Sequence, residues 1–177
     1  MLTKILRRSI FLLLFGTLAF VTVAAQKKPA WKKYRSVEGR FSVNIPCQPE
    51  IKSEDLDNGN GTSKQIYQTC GNDDGYYLVS YIDLLNVSDG NSSLNQFRDG
   101  IIKGAGGSLV SENSISMGSH LGRDLVLTGR SGAGVLNYNL HLYLVGKRLY
   151  CVGVVSPTDK YNLPLIEKFL SSFALDK

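Results

Sequence analysis

Reactive side chains are scarce in this sequence, which has three cysteines and two histidines among 177 residues. Three cysteines are too few for a small disulfide-stapled scaffold, and no CxxC pair or nearby histidine provides a zinc-binding spacing. No GxSxG motif marks a serine nucleophile, and the glycine clusters at 104–107 and 129–134 lack the spacing of a nucleotide-binding loop. The sequence therefore predicts no catalytic residue, no metal site and no cofactor.

The two histidines do not by themselves predict an active site. His141 falls in strand phase with two asparagines and Tyr143, whereas leucines alternate with it, so we expect its ring on the more polar face. His120 follows a Gly-Ser pair in a predicted turn and is expected at the surface. A joint catalytic or metal-binding role is the alternative, and it requires the fold to bring both rings to carboxylates.

Long hydrophobic runs are absent except at the N-terminus. Residues 1–25 carry Lys4, Arg7 and Arg8, contain no acid and continue as an apolar run to Ala25. This order predicts a signal peptide that is cleaved near Ala25 and an exported protein, either periplasmic or secreted. An uncleaved membrane anchor is the alternative. The apolar run is shorter than the ~20 residues that span a bilayer, and this favours the cleaved signal peptide.

Export determines how the cysteines are interpreted, because disulfides persist in oxidising compartments. Cys47 and Cys70 lie at the ends of predicted strands, whereas Cys151 lies inside an apolar strand. We therefore predict a disulfide between Cys47 and Cys70, worth roughly 3 kcal/mol on the chain-entropy model, and a buried thiol at Cys151.

The remaining chain fits one domain, residues 36–177, preceded by a basic lead-in at residues 26–35. We expect the lead-in to be a solvated linker whose aromatic residues pack on the domain edge. Contact with an anionic membrane surface or nucleic acid is the alternative, and no nucleic-acid partner is predicted. Residues 55–61 (DLDNGNG) have the composition of a turn.

Hydrophobic periodicity predicts the elements of this domain. Period-two patterns predict seven strands, over residues 41–45, 64–70, 76–84, 109–115, 121–128, 135–145 and 148–156. Helical spacing predicts one helix that begins at Ser93 and ends at the glycines after Lys103, and a closing helix with Pro164 in its first turn. Since most successive strands are too close for parallel crossovers, we predict an α+β fold with a central antiparallel sheet of six to seven strands flanked by helices.

Tyrosine is the one abundant residue that suits recognition, with nine in the chain. Tyr77 and Tyr81 share one face of their predicted strand, opposite Leu78 and Ile82, and form the candidate binding face. Half-buried strands also favour tyrosine, so ordinary packing is the alternative.

Both ends of the domain resemble those of a known family. The segment WxxYxSxEGRFSVxIP from Trp31 to Pro46, followed by Pro49, resembles the start of exported PsbP-like domains, and KFLSSF at residues 168–173 resembles their closing helix. That superfamily includes the photosystem II extrinsic protein, a nuclear Ran-release factor and many uncharacterised bacterial envelope proteins. The resemblance implies a central antiparallel sheet flanked by helices. It transfers no functional residue, because the family has no shared catalytic motif.

Three functional hypotheses follow. The first is an exported non-catalytic domain that binds a protein or envelope partner. The second is a small-ligand carrier or hydrolase-like enzyme that uses a cleft between sheet and helix. The third is a surface-associated protein, held by an uncleaved signal or by the basic segment at residues 27–35.

Overall fold

The computed structural model describes residues 30–57, 61–132 and 134–176, so the predicted signal peptide at 1–25 lies outside the described residues. Over these ranges the chain forms ten β-strands, two α-helices and a short 3₁₀ turn at Thr158–Lys160. The strands are β1 Lys32–Ser36, β2 Phe41–Ile45, β3 Glu50–Asp57, β4 Thr62–Asn72, β5 Gly75–Asp83, β6 Ser108–Met117, β7 His120–Ser131, β8 Gly134–Val145, β9 Arg148–Pro157 and β10 Ala174–Leu175. The helices are α1 Gly90–Ala105 and α2 Leu163–Leu170.

The strands form two antiparallel sheets. The larger has seven strands in the order β3-β4-β5-β9-β8-β7-β6, and the smaller has three in the order β1-β2-β10. The predicted α+β class and its large antiparallel sheet are therefore confirmed. The second sheet was not predicted, and in the described residues it supplies part of the cover that we expected from flanking helices.

Each face of the seven-stranded sheet carries its own core. The aromatic core lies between this sheet, β2 and α2, and it includes Phe41, Tyr77, Tyr81, Tyr150, Phe169 and Phe173. The leucine core lies under α1, and it includes Leu94, Leu125, Leu127, Leu140, Leu142 and Leu149. Alternate residues of one strand point to opposite faces, so β9 sends Tyr150 to the aromatic core and Leu149 to the leucine core.

Two edge strands correct the sequence analysis. β1 pairs with β2 over Lys32–Ser36, so this part of the lead-in is strand and not linker, although Trp31 and Tyr34 do pack on the aromatic core. β3 extends to Asp57 in register with β4, into the segment that we expected to be a turn. Both strands lie at sheet edges and are largely exposed, so they lack the apolar alternation that identifies a half-buried strand.

The helix boundaries follow from side-chain caps. The carboxylate of Asp89 accepts hydrogen bonds from the backbone N–H groups of Asn91 and Ser92, so the N-cap of α1 lies four residues before the predicted cap at Ser93. Gly106 ends the helix in the left-handed conformation, as predicted. In α2 the side chain of Asn162 accepts from the N–H of Leu165, which places Pro164 in the first turn as expected.

The cysteines are arranged as predicted. Cys47 and Cys70 form a disulfide with their Cα atoms 5.8 Å apart, and Cys151 is a buried free thiol. Burial raises the pKa of the Cys151 thiol to about 12. A disulfide in this position agrees with an oxidising compartment.

Candidate ligand cavity between helix and sheet

The predicted binding face at Tyr77 and Tyr81 is not a surface. Both residues are buried in the aromatic core, with exposed fractions of 1% and 3%. The Tyr77 ring packs edge-on against Trp31 at 5.5 Å and Phe169 at 5.2 Å between ring centroids. The smaller sheet and α2 cover this face, so the alternative interpretation, ordinary packing, describes the two tyrosines.

The histidines lie apart along β7 and β8. His141 Nε2 is 3.6 Å from Asp124 Oδ1, and its Nδ1 is 3.2 Å from the hydroxyl of Tyr143. His120 begins β7 opposite Met117, four residues and therefore about 13 Å along the strand from Asp124. Among the described residues no three acidic, histidine or cysteine side chains are grouped so as to hold a metal ion.

His141 makes stability dependent on pH. Burial lowers the pKa of its imidazole, and the Asp124 carboxylate only partly offsets that effect. Because the unfolded chain takes up the proton near pH 6.5 and the folded chain at lower pH, we expect the free energy of unfolding to be at its full value above pH 6.5 and to fall below it. Urea denaturation between about pH 7.5 and pH 5.5 should show this fall in the wild type and a smaller fall in His141→Gln. Equal falls in the two proteins would contradict the assignment.

Helix α1 covers only part of its side of the sheet. It packs against β7 and β8, and its C-terminal end is held close to β7 by Gly107 and Gly129. A Cβ atom at Gly107 would overlap the carbonyl oxygen of Thr128, and one at Gly129 would lie 2.7 Å from the carbonyl oxygen of Ala105. Because α1 packs on β7 and β8, it leaves part of β4, β5 and β9 uncovered. These strands form the floor of a cavity that lies beside the helix.

The cavity has a volume of about 470 Å³, which is within the range of small-molecule binding sites. One wall is the face of α1 that carries Phe97, Gly100 and Ile101. The remaining lining comes from five strands, with Leu56, Gln65, Tyr67, Leu78, Ser80, Tyr138, Leu140, Cys151 and Val155, and from Gln96 of α1. The lining is thus mostly apolar, with a few polar groups.

The polar groups lie on neighbouring strands. Gln65 and Ser80 are buried in the floor, with exposed fractions of 7% and 2%, and the amide nitrogen of Gln65 donates to Ser80 Oγ at 3.4 Å. Toward solvent, the Tyr67 hydroxyl donates to the Glu54 carboxylate at 3.3 Å. Amide and hydroxyl groups both donate and accept, so the floor can hydrogen-bond an uncharged polar group that enters the cavity.

Cys151 of β9 adds a thiol to the floor of the cavity. Its raised pKa keeps it protonated at neutral pH, and the protonated thiol is a poor nucleophile. The lining therefore combines apolar surface with neutral hydrogen-bonding groups, which is a composition suited to binding.

Sequence reasoning did not identify the cavity residues. Gln65 and Ser80 stand at positions in β4 and β5 that face the leucine-core side of the sheet, where an apolar residue would be expected. Polar residues at inward positions were the available signal. The pattern of one strand does not reveal that a helix leaves this part of the face uncovered.

Comparisons with known proteins give a fold and no activity. No family model matches the chain, and no curated protein sequence is similar to it. Among solved structures it is similar to cyanobacterial PsbP from Synechocystis, with 11% identity over 91% of this chain and 98% of that chain and a TM-score of 0.58.

Two other bacterial structures are similar at lower TM-scores. A Pseudomonas aeruginosa protein of unknown function has 11% identity over 76% of this chain and 87% of that chain, with a TM-score of 0.42. A Bacteroides thetaiotaomicron protein has 17% identity over 83% of this chain, which spans 49% of that chain, with a TM-score of 0.47.

No helix in the described residues is long and apolar enough to cross a membrane. The chain has the PsbP-like fold that the motifs at its two ends predict.

Proposed function

We propose that this chain is an exported binding protein that holds a small, largely apolar ligand in the cavity between α1 and the seven-stranded sheet. The observation that supports this most directly is the cavity of about 470 Å³, with apolar walls and the buried Gln65–Ser80 pair in its floor. Few convergent polar groups in an apolar pocket are typical of ligand sites. The N-terminal sequence and the Cys47–Cys70 disulfide support export.

The choice among the three sequence-based hypotheses rests on the same geometry. The protein- or envelope-binding hypothesis named Tyr77 and Tyr81 as its first surface, and these side chains are buried. Binding of a protein or envelope partner elsewhere stays a prediction. The membrane-anchor hypothesis depends largely on residues outside the described ranges. The cleft between sheet and helix is the feature with a volume, a lining and hydrogen-bonding groups, and this favours the small-ligand carrier.

The test uses two glycines of the same helix. A Cβ atom at Gly100 or at Gly104 meets no atom within 4 Å, but only Gly100 lines the cavity. Leucine at either position should therefore be tolerated, and it should strengthen the helix by up to about 1 kcal/mol because leucine is a better helix former than glycine. In Gly100→Leu the added side chain occupies the cavity, whereas Gly104→Leu is the matched control.

The measurement is the fluorescence of N-phenyl-1-naphthylamine, a neutral apolar probe, titrated into the purified chain. We expect saturable binding to the wild type and to Gly104→Leu, and affinity at least about tenfold weaker in Gly100→Leu, since an occupied cavity leaves no room for the probe. Thermal unfolding of each variant establishes that it is folded. No saturable binding to the wild type, or equal binding by all three proteins, would overturn the proposal.

A further inference from the structure

We infer that the cavity selects its ligand by charge, accepting neutral apolar molecules with one hydrogen-bonding group and rejecting anionic amphiphiles such as fatty acids. This inference rests on the proposed function and specifies the chemical class of the ligand. It follows from the charges in and around the cavity, taken with the energetics of burying an ion.

Among the described residues, those that line the cavity include no charged side chain. Its polar members are two glutamines, one serine, two tyrosines and one thiol, and no lysine, arginine, histidine or carboxylate is among them. One charged group that contacts the lining is the carboxylate of Glu54, which accepts a hydrogen bond from Tyr67. An anionic head group in the cavity would thus find no positive partner in the lining and a negative charge nearby.

Two cationic side chains on the same elements, Lys52 and Arg98, are each paired with a carboxylate. Lys52 lies opposite Tyr67 in the register of β3 and β4, but its ammonium is exposed and lies 3.3 Å from the carboxylate of Glu50. On α1, Arg98 bonds to Asp99 at 2.8 Å and to Glu112 of β6 at 2.7 Å. Both charges are thus engaged by carboxylates, and neither of these residues, nor the exposed Lys103 three positions after Gly100 on α1, belongs to the lining.

A carboxylate that left water for this cavity would lose its hydration without gaining an ion pair, which is strongly unfavourable. An alcohol, amide or ketone loses much less and can exchange hydrogen bonds with Gln65 and Ser80 in the floor. The apolar remainder of the ligand gains by contact with Leu78, Leu140 and Phe97.

The experiment compares two displacers of N-phenyl-1-naphthylamine that share a ten-carbon chain, namely decan-1-ol and decanoate, at about pH 7.5 and below the critical micelle concentration of decanoate. We expect decan-1-ol to displace the probe at a concentration at least about tenfold lower than decanoate requires, because only decanoate carries an unpaired charge into the cavity. The same chain length keeps the apolar contribution similar in both.

Two variants then add one positive charge to α1 at different places. Gln96→Lys puts an ammonium group on the exposed residue that lines the cavity, whereas Asn95→Lys puts it on the opposite face of the helix. We expect Gln96→Lys to bring decanoate within about threefold of decan-1-ol, since a nearby cation now pairs with the carboxylate, and Asn95→Lys to keep the wild-type ratio.

The outcomes separate this inference from the function on which it rests. Equal displacement of the probe by the two compounds in the wild type would overturn charge selection while the cavity still binds. An equal gain for decanoate in both lysine variants would also overturn it, because the effect would then come from net charge. Failure of the probe to bind the wild type, or to respond to Gly100→Leu, would instead overturn the proposed function.

Discussion

Replacing Phe41 with alanine is expected to lower the free energy of unfolding by about 4 kcal/mol, because a fully buried aromatic ring is removed from a packed core. Phe41 lies in β2 and connects the smaller sheet to the seven-stranded sheet. Its ring lies 5.4 Å from that of Phe173, 6.2 Å from that of Tyr150 and 6.4 Å from that of Tyr81, measured between centroids. The substitution therefore removes contacts between β2 of the smaller sheet and β5 and β9 of the seven-stranded sheet.

The matched control for Phe41 is Val37 in the same hairpin, which is 79% exposed. Val37→Ala removes apolar atoms that are already in water, and its free energy of unfolding should stay within about 0.5 kcal/mol of the wild type. Urea denaturation followed by tryptophan fluorescence reports both values, since Trp31 packs on the aromatic core. A loss below about 2 kcal/mol for Phe41→Ala would contradict the central position of this ring.

Substituting alanine for Gly107 should be the second large effect, with an expected loss of about 3 kcal/mol. The added methyl group would overlap the Thr128 carbonyl oxygen and lie 2.7 Å from the Cα atom of Gly129, both of which belong to the backbone of β7. Because β7 is hydrogen-bonded to β6 on one side and β8 on the other, its backbone atoms cannot move aside as a flexible side chain can. The end of α1 would have to move away from the sheet, which should also weaken probe binding in the neighbouring cavity.

Gly104→Ala is the control for this prediction. A Cβ atom at Gly104 meets nothing within 4 Å, and alanine stabilises a helix interior by about 1 kcal/mol relative to glycine, so this variant should be as stable as the wild type or more stable. The two variants add the same methyl group three residues apart. If urea denaturation gave the same stability for both, the close contact between α1 and β7 would not be a determinant of stability.

Much of the fold was predictable because its signals are local. Strand alternation depends on residues two positions apart and helix spacing on residues three or four apart, so both can be recognised before any packing is known. Six of the seven predicted strands lie in the seven-stranded sheet, and the strand predicted at 41–45 is β2 of the smaller sheet. The Cys47–Cys70 pair was also predictable, because an odd number of cysteines left few choices and Cys151 stood in an apolar strand.

What remained hidden depends on contacts between distant segments. Alternation in β5 showed that Tyr77 and Tyr81 share a face, but whether that face meets water or a second sheet depends on where β2 and α2 pack. In the same way, Gln65 and Ser80 become the floor of a cavity because α1 packs on β7 and β8 and leaves the neighbouring strands uncovered. Periodicity assigns a residue to a face of its own strand, whereas burial and binding arise when separate faces meet.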